Sequence, residues 1–274
     1  AMHRRSVLAC LALLASLPAA AQEPTAADVT NLLEARPLPL LQKAPRVAVA
    51  GFRVGFVVRN GASAQSRAAF SNLGGGSRVQ QAASASIEVT LDNVDPARTQ
   101  AIAERAWADF QAALAASGRT LVPMEELKAS PGWKEIEATP AGDKPYQNNL
   151  TMSKKTYAFV SPQALPLWFG HFDQPLGDKG PFALGNWRAM NRLSTDLGAV
   201  VVVPQIVVDF AEVSTSGNSM WRSSAEVGAK GAMSIERGLT TMWVFHATRP
   251  EFGDFGSAQL KEGLPLPGDF GEFV

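Results

Sequence analysis

The sequence contains few of the side chains that most often carry out chemistry. Its 274 residues include a single cysteine, Cys10, and three histidines. Cys10 lies in an N-terminal segment that we predict below to be removed, and the remaining chain then has no thiol. Disulfides, thiolate nucleophiles and cysteine-ligated metals are therefore excluded for the mature chain. A chain of this length buries enough apolar surface to fold without covalent cross-links.

The sequence also has no excess of charge of either sign. It contains 25 lysine and arginine residues and 25 aspartate and glutamate residues, and the basic residues form no cluster. Nucleic-acid binding requires a basic surface that contacts phosphates. We therefore expect no nucleic-acid partner.

The N-terminus has the pattern of a secretory signal peptide. Arg4 and Arg5 precede a hydrophobic run at residues 7–17, and Pro18 and three alanines end it. The run is much shorter than the roughly 20 apolar residues that cross a bilayer as a helix. We therefore predict that residues 1–21 are cleaved and that the mature protein is periplasmic or associated with the outer membrane. Any membrane association would not use a transmembrane helix.

The segment VLAC at residues 7–10 offers an alternative, because it loosely matches the box at which bacterial lipoproteins are cleaved and lipidated. Cleavage before Cys10 would leave residues 11–21 as an apolar tail on the mature chain. Cleavage after Ala21 avoids this tail, so we prefer the signal-peptide interpretation.

The mature sequence predicts one domain between two less regular ends. Residues 22–45 form a lead-in with a short helix over 26–35 and a proline-containing connector. Residues 46–248 form a single domain. Residues 249–274 mix glycine, proline and phenylalanine, and we predict an extended tail whose aromatic rings pack on the domain.

Two strands and a flexible loop are predicted at the start of the domain. Residues 46–59 are rich in Val and Phe and predict a long central strand. Residues 84–94 alternate apolar and polar side chains and predict a second strand. Between them, residues 60–83 consist mainly of Gly, Ala, Ser, Gln and Asn, which favours a flexible loop.

Helices are predicted wherever capping residues flank apolar stripes. Asp95 and Pro96 suit the start of a long helix, and Gly118 suits its end. A shorter helix at residues 125–128 is expected to stop at Pro131. Apolar residues recur at helical spacing in two places: Ile102, Ala106, Phe110 and Leu114, and again Trp187, Met190, Leu193 and Leu197.

The C-terminal third predicts strands. An apolar strand at residues 199–203 ends at Pro204, and strands at 205–213, 221–235 and 239–248 follow with turns between them. This order indicates an antiparallel meander. The sequence therefore predicts an α/β to α+β fold: one domain with a mixed sheet, helices packed on it and a C-terminal antiparallel meander.

The glycine-rich stretch FSNLGGGSR at residues 70–78 resembles a phosphate-binding loop at first sight. Such a loop ends in Lys-Ser or Lys-Thr at the start of a helix, whereas strand residues follow here. We predict no nucleotide and no other cofactor, and we interpret the stretch as a candidate interaction loop. Its residues are Gly74, Gly75, Gly76 and Arg78.

A histidine with two nearby carboxylates is the best candidate for a chemical site. His171, Asp173 and Asp178 lie in WFGHFDQPLGDKG, a group that can hold a metal or act as a base. A metal site needs three or four ligands placed by the fold, and the sequence identifies no further one. We therefore predict no metal, and we favour an aromatic loop packed over the domain.

Two other polar residues stand in apolar strands. His246 lies among aromatic residues in TMWVFHATRP, and we interpret it as half-buried and structural. Asp209 interrupts the run IVVDFAEV. It lies at the end of the sheet or pairs with Arg222 across the turn, and a catalytic role stays open.

The order of these segments resembles the α/β domain shared by the CsgG-like group of curli-secretion lipoproteins and the N-terminal domain of TolB. The likeness rests on RVAVAGF, the helix over residues 97–117, TLVPMEELKASPGW and DLGAVVVVPQIVVDF. It covers roughly residues 46–213, with MEEL at 124–127 and LGA at 197–199 in the corresponding places. The resemblance implies envelope-accessory or assembly proteins that bind partners, and it transfers no catalytic residue.

Three functions are consistent with the sequence. The first is a non-enzymatic, exported envelope protein that binds an envelope partner or self-associates. The second is an oligomeric outer-membrane pore that uses residues 53–91 as a membrane hairpin, although Arg67 and Arg78 are unfavourable there. The third is a periplasmic hydrolase or ligand-binding protein centred on His171 and Asp173.

Overall fold

The computed structural model describes residues 33–35, 44–65, 84–91, 94–137, 146–148, 155–170, 185–216, 225–249 and 252–266. These residues form one mixed sheet with helices packed against it. The strands are β1 (Leu33–Ala35), β2 (Arg46–Val49), β3 (Arg53–Gln65), β4 (Ser84–Thr90), β5 (Thr120–Leu121), β6 (Tyr146–Asn148), β7 (Lys155–Val160), β8 (Val200–Ser216), β9 (Glu226–Ile235), β10 (Thr241–Arg249), β11 (Phe252–Leu260) and β12 (Leu264–Pro265). The helices are α1 (Pro96–Ala116), α2 (Met124–Ala129), α3 (Pro131–Glu137) and α4 (Gly185–Leu197).

β8 is the central strand and has partners along both edges. On one edge, β2 pairs in parallel with residues 200–202, and β3 pairs in parallel with residues 205–208. On the other edge, β10 pairs antiparallel with residues 201–205, and β9 pairs antiparallel with residues 208–216. Each edge of β8 is therefore covered by two successive strands with a short interruption between them.

The remaining strands extend the sheet outward from this centre. On one side β10 pairs with β11, and β11 pairs with β1. On the other side β3 pairs with β7, and β7 pairs with β6, while β4 pairs with the outer half of β3. The predicted fold class, a mixed sheet with helices packed on it, is confirmed. The C-terminal strands pair antiparallel as predicted, but β9 and β10 both pair with β8, so the chain does not reverse at the predicted turn between residues 235 and 239. The reversal occurs instead between β10 and β11.

Pro204 does not end a strand, contrary to the sequence prediction. β8 runs through it without a break. The Ala50 amide donates to the Val202 carbonyl, so the backbone groups of Val202 point toward the edge of β8 that β2 and β3 cover. Backbone groups alternate in direction along a strand, so those of Pro204 point toward the same edge. At Pro204 that edge faces residues 50–52, between the end of β2 and the start of β3. No ladder partner requires the missing N–H there, so proline is tolerated inside a central strand.

α1 begins and ends as predicted, and three of its four predicted stripe residues are buried. Asp95 Oδ1 accepts a hydrogen bond from the Ala97 amide, and Pro96 occupies the first turn. The predicted stripe is wrong at Ile102, which is 43% exposed. The residues that pack into the core are Ala103, Ala106, Trp107, Phe110, Ala113 and Leu114.

Pro131 starts a helix instead of only stopping one. The Ser130 hydroxyl accepts a hydrogen bond from the Gly132 amide and donates to Asp196. Proline in the first turn needs no amide partner, so Ser130 and Pro131 together begin α3. α3 in turn packs against α4, whose residues Met190, Leu193 and Leu197 are buried as predicted.

Three segments that the sequence predicts as a helix, a flexible loop and an extended tail contain strands. Residues 33–35 form β1 and not part of a helix, because they pair with residues 258–260 of β11. Residues 252–260 form β11, so that part of the predicted tail belongs to the sheet. Residues 60–65 continue β3 and pair with β4. The rest of the predicted flexible loop lies outside the described residues.

The buried residues form two clusters. The larger one contains the first half of β8, β2 and the apolar faces of α1, α3 and α4. The smaller one lies further along β8, where Val207, Phe210 and Ala211 meet Val57 and Tyr157. Among the described residues, no helix is long and apolar enough to span a bilayer.

Gly132→Ala tests the close contact between α3 and α4. A Cβ atom on Gly132 would lie 2.7 Å from the Ala189 carbonyl oxygen and 3.1 Å from the Leu193 amide nitrogen. Because both atoms belong to the α4 backbone, we expect a loss of about 1–3 kcal/mol in unfolding free energy, measured by urea denaturation. In the control Gly263→Ala, the nearest atom is 3.4 Å away, and the change should stay within about 0.5 kcal/mol. Equal stability of the two variants would contradict this packing.

Candidate functional site

The candidate residues identified from sequence motifs lie outside the described part of the chain. This applies to His171, Asp173 and Asp178, and to the candidate interaction loop of Gly74, Gly75, Gly76 and Arg78. Their roles therefore stay predictions. Within the described residues, no group of three or more His, Cys, Asp or Glu side chains is arranged to hold a metal ion.

His246 lies next to a buried serine that links α4 to β10. Its Nδ1 atom is 3.5 Å from the Ser194 hydroxyl. That hydroxyl donates to the Ala199 carbonyl at 2.8 Å and accepts from the Ala247 amide at 3.0 Å. Ser194 is 1% exposed, and its proton is already used in this hydrogen bond. The pair therefore joins two elements of the fold, and His246 is half-buried in agreement with the sequence interpretation.

Asp209 belongs to a buried cluster of charged side chains. It lies well inside β8 and not at the end of the sheet. Lys155 Nζ lies 2.7 Å from Asp209 Oδ2 and 2.9 Å from Glu236 Oε1. The side chains of Lys155, Asp209 and Glu236 are 15%, 7% and 17% exposed. One ammonium group therefore bridges two carboxylates that come from β8 and from the β9–β10 junction.

Asn60 and Asp209 also complete the backbone at a bulge. The register of β8 against β9 shifts between Asp209 and Ala211. Asp209 Oδ1 accepts from the Ala211 amide at 3.2 Å, and Asn60 Nδ2 donates to the Ala211 carbonyl at 3.0 Å. Asn60 Nδ2 also lies 3.2 Å from Asp209 Oδ2. Because a buried backbone group without a partner is costly, these side chains stabilise the bulge.

The cluster changes the proton affinity of Glu236 and Lys155. Burial raises the pKa of Glu236, and the attraction of Lys155 only partly opposes this effect. Burial alone would lower the pKa of Lys155, but the charges of Glu236 and Asp209 outweigh it, so this pKa is also raised. The arrangement can therefore hold Lys155 charged while Glu236 binds a proton more readily than an exposed glutamate does.

A second buried cation lies at the start of β3. Arg53 is 1% exposed, and its Nη1 donates to the Trp168 carbonyl at 2.9 Å. Its guanidinium carbon lies 4.7 Å from the centre of the Phe169 ring, within the range of a cation–π contact. The Phe169 ring also lies 5.1 Å from the Phe159 ring of β7. These contacts attach residues 161–170 to the sheet.

The sequence interpretation identified Asp209 but missed its partners. Lys155 and Asn60 belong to other strands, and Glu236 was interpreted as part of a turn between antiparallel strands. The available signal was the charge of Asp209 within an apolar run, because a buried carboxylate requires a charged or hydrogen-bonding partner. The charge of Asp209 does not identify which of the distant polar residues is its partner.

No family model matches the chain, and comparisons with curated proteins and with solved structures find no significant match. The resemblance to the CsgG-like and TolB N-terminal domains therefore stays a prediction.

Lys155→Met tests the contribution of the charged cluster to stability. The change leaves two buried carboxylates without their cation, so we expect a loss of about 3–5 kcal/mol in unfolding free energy at neutral pH. The loss should shrink at acid pH, because protonation of Glu236, whose pKa is raised by burial, removes one of the two unpaired charges. The control is Arg105→Met, since Arg105 pairs with Asp109 on the exposed side of α1; it should change stability by about 0.5 kcal/mol or less. Similar losses in the two variants would contradict a special role for Lys155.

Proposed function

We propose that the chain is a non-enzymatic, exported envelope protein that acts by binding a partner protein or by self-association. The observation that carries this proposal is the unpaired outer edge of β4. Among the described strands, β4 pairs only with β3. An unpaired edge presents backbone donors and acceptors that another strand can use.

The hydrogen-bond alternation identifies which amides of β4 face this edge. The Leu91 amide donates to the Val58 carbonyl of β3. Backbone groups alternate in direction along a strand, so Val89 and Ile87 also face β3, whereas Glu88 and Ser86 face away from it. Ser86 and Glu88 have exposed side chains. These outward amides have no ladder partner among the described strands, although β4 lies close to β9.

β9 supports the same proposal. It pairs with β8 along its length and with β12 only at Ser234 and Ile235. Most of its side chains are half-buried, so the other described residues cover the surface of this strand only in part. On the side away from β8, β9 has a ladder partner among the described strands only at Ser234 and Ile235, and a strand edge of this kind can pair with an added strand.

The outer-membrane pore is the alternative that uses the same hairpin. Residues 53–57 are buried in the sheet, so a membrane-inserted hairpin would begin at Val58 and not at Arg53. Residues 58–65 of β3 and the 7 residues of β4 are each shorter than the about 9–11 residues that a membrane strand needs, so the described part of this hairpin does not favour the pore by its length. A requirement for detergent to extract the mature protein would support the pore over the envelope-accessory role.

Ser86→Pro tests the β4 edge. Proline removes an outward N–H and leaves the ladder with β3 intact. We expect the wild type and the matched control Ser86→Ala to associate in a concentration-dependent way in light scattering, and Ser86→Pro to associate about tenfold more weakly. If the partner is another protein, envelope extract should yield a species retained by wild type and Ser86→Ala but not by Ser86→Pro.

Two results would overturn the proposal. The first is a wild type that stays monomeric at every concentration and retains the same proteins as Ser86→Pro. The second is turnover of a substrate by the purified mature protein, which would replace binding with an enzymatic role.

A further inference from the structure

The junction between β9 and β10 is attached to β8 at Val207 and at Gln205, whose Nε2 donates to the Leu239 carbonyl at 2.8 Å. The Glu236 amide donates to the Val207 carbonyl at 2.7 Å, and the Val207 amide donates to the Thr240 hydroxyl at 3.0 Å. Between these contacts, Arg237 and Gly238 are exposed, and Gly238 has a φ of 89°. The Gly238 carbonyl accepts a hydrogen bond from Gln259 Nε2 of β11 at 2.8 Å. The junction therefore bulges away from β8 at Arg237 and Gly238, with anchoring contacts on both sides of the bulge and one to β11.

The side chain of Glu236 provides a charged tie from this junction to β7, in addition to the neutral hydrogen bond from Gln259 of β11. It reaches Lys155 at the start of β7, and Lys155 also contacts Asp209 of β8. The tie therefore joins β7, β8 and the junction through one ammonium group. It is mostly buried, so water does not readily replace it.

The ionisable groups that face Glu236 come from two strands. β7 contributes Lys155 and the Tyr157 hydroxyl, and β8 contributes Asp209. On β12, the residues that pair with β9 are Leu264 and Pro265, which carry no charge. With both carboxylates ionised, the cluster has one negative charge in excess. A proton on Glu236 removes that excess charge, so burying the cluster then costs less hydration free energy.

We propose that Glu236 is a proton-dependent latch: in its neutral form it holds the β9–β10 junction closed against β8, and its ionisation favours an open junction. The latch is distinct from partner binding, because it controls the conformation of the β9–β10 junction. It requires only that the open junction exposes Glu236 to water.

The direction of the effect follows from proton linkage. In the closed form, burial holds the pKa of Glu236 above its ordinary value of 4.5. The open form has the ordinary value, so the closed form binds the proton more tightly and gains stability at low pH. As pH rises from 4.5 to the raised pKa, the opening equilibrium should increase by up to about tenfold per pH unit. Outside that interval it should be constant.

Hydrogen exchange at the Val207 and Glu236 amides tests this inference. After correction for intrinsic exchange, the wild-type rates should rise with pH in that interval. Glu236→Gln keeps the shape of the side chain without the titration, and its corrected rates should be independent of pH. The matched control is Glu226→Gln, because Glu226 is on β9 and near the surface; it should behave as the wild type. Amides of α1 should show no comparable change.

Trypsin cleavage after the exposed Arg237 gives a second readout that requires no pH series. At pH 8, the wild type and Glu226→Gln should be cut at this bond faster than Glu236→Gln. The ratio should be about threefold for each half unit by which the pKa of Glu236 is raised, with the product identified by mass spectrometry.

Three results would overturn the latch. These are equal pH dependence in the wild type and Glu236→Gln, corrected wild-type rates that do not change with pH, and parallel changes in the α1 amides. The last result would indicate opening of the whole domain instead of the junction.

Discussion

Burial of β8 on both faces is the constraint on which the rest of the structure depends. Residues 200–207 are buried without interruption, so every backbone group in this segment needs a partner within the protein. Two edges must therefore be covered along the same length. Parallel strands cover one and antiparallel strands the other, which explains why the sheet is mixed.

The strands that cover β8 are interrupted, and polar side chains take over at the interruptions. Gln205 Nε2 donates to the Leu239 carbonyl, and Thr240 accepts from the Val207 amide. A few residues further along, Asp209 and Asn60 bind the backbone of Ala211. The buried polar residues of β8 and its neighbours are thus concentrated where the regular ladder is incomplete. The charged cluster is a continuation of this arrangement, since Asp209 needs a cation once it is buried.

Local patterns predicted the helices better than the ends of the strands. Asp95 and Pro96 mark the start of α1 because capping depends on neighbours in the sequence. Pro204 and Pro131 were misinterpreted because proline was treated as a local stop signal. At Pro204 the outcome depends on which edge lacks a partner, and at Pro131 on a cap from Ser130. The edge at Pro204 is determined by tertiary structure. The Ser130 cap before Pro131 is a local signature that the sequence already contains.

The candidate site was only partly predictable for a related reason. The charge of Asp209 marked an exception in an apolar run, but Lys155 lies 54 residues away in the sequence. Glu236 looked like a turn residue because the sequence between β9 and β10 contains Arg237 and Gly238. Both strands in fact run antiparallel to β8, so the junction bulges without reversing the chain. Only the pairing with β8 places Glu236 beside Lys155.

β9 takes part in both proposals, as a supporting strand in the first and next to the junction in the second. β9 carries a partly covered surface along its length, and its last residues lead into the junction that Glu236 attaches to β8. Because β9 is paired with β8 over its whole length, a shift at the junction changes the last ladder contacts first, at Ile235 and Ser234. β12 pairs with these same two residues. A change in protonation at Glu236 therefore acts first where β8, β9 and β12 meet, and the remainder of β9 responds only through its ladder with β8.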